Sequence, residues 1–440
     1  MLNGIKVITV FGANGTVGSQ VVQLLVNNLD VKVFLLCRTK EKALQAIDNI
    51  KVRSQKDSII GTMIPADFSN LAGCISSSDW IFESVSEDLL TKLGIYELII
   101  PFLRPDTLVS TGTSSFRIEQ LAKPFNSGFK KQFYGTHFFN PLDKLLLLEF
   151  ISTEWNDSEV SIAFENYLTN QLMRKCIKTK DVRGFLANRI GSLFLNEAAL
   201  MAEEYSDRGG IAYIDSIVGR STGRSMAPLM TIDYIGLDVF MKILDNVEKE
   251  YPMDLVSKQS PQFMDTLLNE GNHGRKTGRG LYGQTILHNG SKEKYVFDLK
   301  SRTYCPVNNY KFTFITNMID LQIQGDLVSS FQVLMRSNEE EAMLCKYLLL
   351  RYITISYLAV KEAAFEEKDV DTAMEYGYSW ISPRKLVFLL GGSRGLRRLR
   401  DSNKRIQQAT EDLDIEKLGA FQVPIQQSDL KFFSYTRKSM

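Results

Sequence analysis

The stretch Ile5-Lys6-Val7-Ile8-Thr9-Val10-Phe11-Gly12-Ala13-Asn14-Gly15-Thr16-Val17-Gly18 decides the fold of the N-terminal half. Ile5 to Phe11 is a mostly apolar run of strand length, rich in β-branched residues. It breaks into glycines spaced Gly-x-x-Gly-x-x-Gly, and a helical pattern follows. A second apolar segment, Val31 to Cys37, lies at the distance of a βαβ unit. Glycines at such a turn let the backbone double back, approach a pyrophosphate and pack the next helix, whose N-terminus attracts phosphate charge. Gly12, Gly15, Thr16, Val17 and Gly18 are therefore expected to hold a dinucleotide. Strand and helix patterns alternate to about residue 182, which predicts an α/β Rossmann-type doubly wound parallel sheet. From Gly184 the composition turns helical and predicts all-α C-terminal domains.

The second informative stretch is Gly135-Thr136-His137-Phe138-Phe139-Asn140-Pro141, which holds one of only 3 histidines in 440 residues. Glu149 stands twelve positions beyond His137, just after Leu145-Leu146-Leu147-Leu148, an apolar run expected to be a buried strand. A histidine held by a carboxylate in apolar surroundings is how a fold makes a general base near neutral pH.

Together these motifs resemble the 3-hydroxyacyl-CoA dehydrogenase family, whose pattern runs Gly-x-His-Phe-Phe-Asn-Pro and reaches a glutamate at this distance. The resemblance covers essentially the whole chain and is strongest between residues 5 and 190. It implies NAD-dependent oxidation of a (3S)-3-hydroxyacyl-CoA to a 3-oxoacyl-CoA, as in fatty acid β-oxidation. His137 is then the base, Glu149 its partner, and hydride passes to the nicotinamide. In Thr113-Ser114-Ser115 the resemblance places Ser114 at the substrate oxygen. In Gly184-Phe185-Leu186-Ala187-Asn188-Arg189 it makes Asn188 an amide that reaches the active site. Glu87 and Lys92 are implied near the nicotinamide ribose, and Asn140 is implied to hold the nicotinamide or the histidine.

Three positions depart from the family pattern. Ala13 replaces the first fingerprint glycine, which is tolerable if the turn keeps negative φ there and Gly12 supplies the flexibility. The aspartate that grips the adenosine ribose is missing near Cys37, and Arg38 follows at once. An arginine at this point accommodates a 2′-phosphate, so NAD is the first choice and NADP stays open. Leucines stand where a Met-Lys-Leu unit is usual, with the lysine at Lys144. Two alternatives follow: an NADP(H)-dependent 3-oxoacyl thioester reductase of a biosynthetic pathway, or a non-catalytic paralogue that binds acyl-CoA or nucleotide. The joint presence of Ser114, His137, Glu149 and Asn188 argues against the second.

Composition narrows the class. Lys and Arg number 52 against 51 Asp and Glu, a net charge of +1, so no global field points to nucleic acid. Charged residues make up 23% and hydrophobic ones 44%, ordinary for a globular enzyme. Cys37, Cys74, Cys176, Cys305 and Cys345 are scattered without metal-ligand spacing; no metal is expected, and reduced thiols point to the cytoplasm. The first strand begins close to Met1, so neither a leader nor a preceding hydratase segment is expected. Tyr347 to Val360, the most apolar late stretch, is interrupted by Arg351 and is expected to be too short to enter a membrane.

The expected domains are 1–182, NAD-binding; 183–288, helical; 289–335, a connector with strand character; and 336–440, a second, divergent helical repeat. The repeat is read from Glu362-Ala363-Ala364, Asp371, Gly377, Pro383 and Gly391, which echo Glu197-Ala198-Ala199, Asp215, Gly219, Pro228 and Gly236. In single-copy members of the family this domain is the dimer surface. The second copy is therefore expected to pack on the first, giving a pseudo-dimeric monomer, with a homodimer as the alternative. The implied partner is an acyl-CoA substrate; docking of a hydratase or thiolase is left open. The basic segment Gly274 to Tyr282 is expected to be a structural turn.

Overall fold

The computed structural model describes residues 4–54, 59–250, 260–286, 292–411 and 413–433. It divides into two compact units, residues 1–186 with 362–377, and residues 187–361 with 378–440. The expected domain boundary at 288/289 lies outside the described residues.

The first unit carries an eight-stranded sheet: β1 (Val7–Phe11), β2 (Lys32–Leu36), β3 (Thr62–Ala66), β4 (Trp80–Glu83), β5 (Leu108–Thr111), β6 (Phe133–Phe138), β7 (Leu147–Ile151) and β8 (Lys175–Thr179). The order is β3-β2-β1-β4-β5-β6-β7-β8. Strands β3 to β6 of this order run parallel, β6 and β7 pair antiparallel, and β7 and β8 are parallel again. The chain winds outward from β1 in both directions, so the switch point lies beyond the C-terminal end of β1, where such folds bind ligands. Successive side chains of a strand face opposite sides, and both sides are apolar here. Ile8, Val10, Trp80 and Phe82 join one core cluster, while Phe11 and Ile81 join another. Each fully buried Val, Leu, Ile or Phe contributes about 1.5–3 kcal/mol.

Residues 362–377 belong to this unit although they were expected in the second helical repeat. The helix Asp369–Gly377 packs on β7 and β8. The Lys180 N–H donates to the Ala363 carbonyl (2.8 Å), and Thr179 forms a bridge with Ala364. The physical reason is the edge strand β8, which lies beyond β7 and would otherwise leave its face open to solvent.

The second unit is mainly helical. Its first repeat contains the helices Ala187–Glu204, Gly210–Ile217, Pro228–Ile235 and Leu237–Glu248. A small antiparallel sheet follows, with β9 (Tyr282–Ile286), β10 (Lys292–Asp298) and β11 (Thr303–Pro306) in the order β11-β10-β9. The region expected as a connector continues into two helices, Thr313–Ile323 and Leu327–Arg336.

The echo read in the sequence has a structural counterpart. Pro228 and Pro383 each open a helix at its first turn. Gly236 and Gly391, which end those helices' turns, take φ of +99° and +92°. Gly223-Arg224-Ser225 pairs antiparallel with Ser379-Trp380-Ile381: Ser225 N–H donates to Ser379 (3.2 Å) and Ile381 N–H to Gly223 (2.7 Å). Gly223 (φ +80°) and Ser379 (φ +53°) share the left-handed conformation. The contact is reciprocal, as a two-fold interface requires.

The helix Glu340–Ala363 corrects one expectation. At 24 residues it is long and apolar enough, by length and composition alone, to cross a membrane. Of its most apolar window 78% is buried inside the protein, and Arg351 pairs with buried Glu197 at 2.5 Å. These are the features of a core helix. Gly274 to Tyr282 is a structural turn: Gly274 N–H donates to Arg279, and the Tyr282 hydroxyl donates to Asp215.

Candidate active site

The glycine loop leaves β1 at the switch point. Gly12 takes φ +69°, and a Cβ there would meet the Ser84 carbonyl at 2.3 Å, so only glycine fits. Ala13 avoids the positive-φ region and is fully buried. Gly18 lies under the loop, where a Cβ would come 2.3 Å from the Gly12 oxygen. Gly15 caps the helix Thr16–Asn28, with no side chain bonded to the cap and no acidic residue in the first turn. Thr16 and Val17 open that helix. A tight loop beside an uncapped helix N-terminus suits a pyrophosphate.

At the end of β2, Cys37 is buried beside the glycine loop, where burial pushes its thiol up against the opposing pull of the Asn14 backbone N–H. Arg38 is exposed and makes no ion pair among the described residues.

His137 and Glu149 stand directly opposite each other in the antiparallel pairing of β6 and β7. Opposed residues of such a pair put their side chains on the same face about 5 Å apart at Cβ. His137 Nδ1 lies 2.7 Å from Glu149 Oε2, and Leu186 N–H donates to Oε1 at 3.0 Å. Glu149 is 0% exposed and His137 4%. The rings of Phe139 (4.5 Å) and Phe185 (5.7 Å) flank the imidazole. Against an ionised carboxylate, which only accepts, Nδ1 is the donor of this bond. Nε2 has no partner among the described residues. Only Leu147 and Leu148 of the expected strand 145–148 enter β7; Leu145 closes a turn on the Pro141 carbonyl (2.9 Å).

Ser114 follows β5 in a loop tied down by Glu87. Glu87 Oε1 accepts from Thr113 Oγ1 (2.6 Å), Ser114 N (2.9 Å), Ser115 N (3.1 Å) and Ser115 Oγ (2.8 Å). The Ser114 hydroxyl itself has no partner among the described residues. Lys92 is 1% exposed, not a surface lysine, and bridges Glu83 (2.8 Å) and Glu87 (3.3 Å). Burial pushes the Glu87 carboxyl up, yet Lys92 and the Thr113, Ser115 and Ser114 bonds outweigh it and hold it below its usual range.

Glu83, the first acid of the Glu-x-x-x-Glu pattern that ends in Glu87, was given no role by sequence reasoning. It accepts from Lys92, Val85 N–H (2.7 Å), Tyr96 Oη (2.6 Å) and Thr111 Oγ1 (2.7 Å), and is 1% exposed. Its signal was an acid ending an apolar strand, with Lys92 and Tyr96 one helical turn apart. Asn140 does not meet the histidine: it is exposed, and its Oδ1 accepts from Gln20 Nε2 at 2.6 Å. Asn188 lies in the second unit at the start of the helix Ala187–Glu204, where its Oδ1 accepts from the Tyr378 hydroxyl at 3.0 Å.

Residues 7–182 match the family model of the 3-hydroxyacyl-CoA dehydrogenase NAD-binding domain, and residues 184–284 that of its C-terminal domain. A probable 3-hydroxyacyl-CoA dehydrogenase of Caenorhabditis elegans is 33% identical over 214 residues, 49% of this chain and 70% of the relative. The chain belongs to the 3-hydroxyacyl-CoA dehydrogenase family. A probable 3-hydroxyacyl-CoA dehydrogenase of Bacillus subtilis (strain 168) is 28% identical over 357 residues, 79% of this chain; the chain spans 42% of that relative's length. The crystal structure of 3-hydroxybutyryl-CoA dehydrogenase from Escherichia coli covers 94% of this chain and 99% of its own, with TM-score 0.68 and 20% identity, so the fold is shared. The first unit is the family's NAD-binding domain, and its loop fits the dinucleotide: the cradle is one that a Cβ at Gly12 or Gly18 would fill.

Proposed function

We propose that this member of the 3-hydroxyacyl-CoA dehydrogenase family oxidises a (3S)-3-hydroxyacyl-CoA to the 3-oxoacyl-CoA with NAD, in fatty acid β-oxidation. The observation that carries this reading is His137 with Nδ1 on buried Glu149 and Nε2 without a partner among the described residues, flanked by Phe139 and Phe185. NAD, when bound, would supply the hydride acceptor. His137 Nε2 takes the C3 hydroxyl proton as C3 gives up hydride, and Glu149 stabilises the imidazolium that forms. Ser114, whose hydroxyl has no partner among the described residues, holds the substrate oxygen. Asn188 is assigned to that oxygen as an amide donor, which suits developing charge. Glu87, held by Lys92, shapes the ribose end of the site and fixes the Ser114 loop. Proton transfer of this kind is worth about 10²- to 10⁴-fold.

A second reading, an NADP(H)-dependent reductase acting on a 3-oxoacyl thioester, is favoured by one observation: exposed Arg38 follows a strand end that lacks an acid. We also infer a monomer, because the reciprocal pairing of residues 223–225 with 379–381 occupies one repeat with the other. The five free cysteines are consistent with a reducing compartment such as the cytoplasm.

The experiment is acetoacetyl-CoA reduction with NADH and NADPH in parallel, on wild type and His137→Ala. Turnover with NADH that collapses in the variant supports the dehydrogenase. Preference for NADPH supports the reductase, and no turnover with either cofactor refutes both.

A further inference from the structure

We propose that Tyr378, from the second helical repeat, is a positioning residue for this reaction: it fixes the Asn188 amide so that its N–H end, not its carbonyl, is offered to the substrate oxygen. The proposal rests on the assignment of Asn188 to that oxygen.

A side-chain amide has two ends of nearly the same shape and opposite polarity. Unrestrained, it presents either end. Asn188 is 6% exposed, and the Tyr378 hydroxyl donates to its Oδ1 at 3.0 Å. Its Nδ2 makes no hydrogen bond among the described residues. The donor end is therefore left for an incoming acceptor, which is the polarity that developing negative charge requires.

The phenol is held in place from several sides. Gly191 lies three residues beyond Asn188, on the same helix face. A Cβ at Gly191 would come within 2.2 Å of the Tyr378 Cζ and Oη, so the ring lies directly on that glycine. Trp380 stands 4.9 Å from the Tyr378 ring and 5.5 Å from Phe194. Phenylalanine would fill the same space; only the hydroxyl selects the amide's orientation. At the equivalent place the first repeat has Thr222.

The test uses the full-length chain with Tyr378→Phe, Asn188→Ala and the double variant. Acetoacetyl-CoA reduction gives kcat and KM, NADH fluorescence gives Kd, and circular dichroism gives Tm. Tyr378→Phe is expected to lower kcat about tenfold, the scale of one ordinary hydrogen bond, with Kd for NADH and Tm unchanged. In the Asn188→Ala background it should add nothing. An equal loss in both backgrounds, a wild-type kcat, or a loss of kcat that tracks a fall in Tm would each overturn the proposal. Asn188→Ala with wild-type turnover would instead refute the assignment of Asn188, and inactivity of the wild type the parent reading.

Discussion

Arg224 and Trp380 hold equivalent places in the two helical repeats and face each other across the bridge that joins them. Arg224 follows Asp215 by as many residues as Trp380 follows Asp371. The guanidinium is fully buried, 5.1 Å from the Trp380 ring, 4.6 Å from Phe194 and 4.8 Å from Tyr352. Its Nε and Nη2 have no hydrogen-bond partner among the described residues. Burial pulls its pKa down, to about 10.

A desolvated cation–π contact returns about 2 kcal/mol, against a desolvation cost of several kcal/mol for the ion. Arg224→Met should therefore leave Tm unchanged or raise it. Trp380→Ala should cost about 3–5 kcal/mol through the cavity it leaves. Thermal unfolding of both variants decides it; a marked drop in Tm for Arg224→Met would show that the aromatic box outweighs the burial cost.

Glu149→Gln should be nearly as damaging as His137→Ala. Glutamine can offer an N–H to Nδ1, which favours the tautomer with the proton on Nε2 and removes the base. A loss of kcat on the order of 10²-fold or more, with NADH affinity retained, is expected. Stopped-flow hydride transfer checks it, and near-normal rates would reduce Glu149 to packing.

The Glu87 carboxyl is held below its usual range, because Lys92 and the Thr113–Ser115 bonds outweigh burial. A depressed folded-state pKa gives stability that is present above the unfolded value and lost as pH falls through the folded one. Glu87→Gln should thus destabilise at pH 7, and the difference should shrink as pH drops below the unfolded carboxylate value of 4.5. Urea unfolding across that range tests the sign; a difference that grows on acidification contradicts it.

Arg38 is exposed at the end of β2 and makes no ion pair among the described residues. Arg38→Ala should reduce kcat/KM with NADPH by about tenfold, the value of a charge-assisted contact to phosphate. The value with NADH should move less than about twofold. Equal effects on both cofactors would place Arg38 away from the adenosine ribose.

The sequence by itself determined the local devices. The glycine loop was legible because strand, turn and helix are adjacent and Gly12 must take a conformation that other residues resist. His137 and Glu149 were legible because both lie on neighbouring strands with a short connection, so their spacing carries the register. The helical echo was legible through Pro228, Gly236 and their counterparts, which mark helix starts and ends by backbone chemistry alone. Tertiary structure decided the rest. The burial of Lys92 against Glu83, at the end of β4, was not written in the pattern of its own helix. Residues 362–377 join the first unit because β8 needs cover, a demand invisible in their own pattern. Tyr378 reaches Asn188 across 190 positions of chain. Such contacts arise where apolar burial brings distant segments together, and sequence spacing does not encode which polar groups then meet.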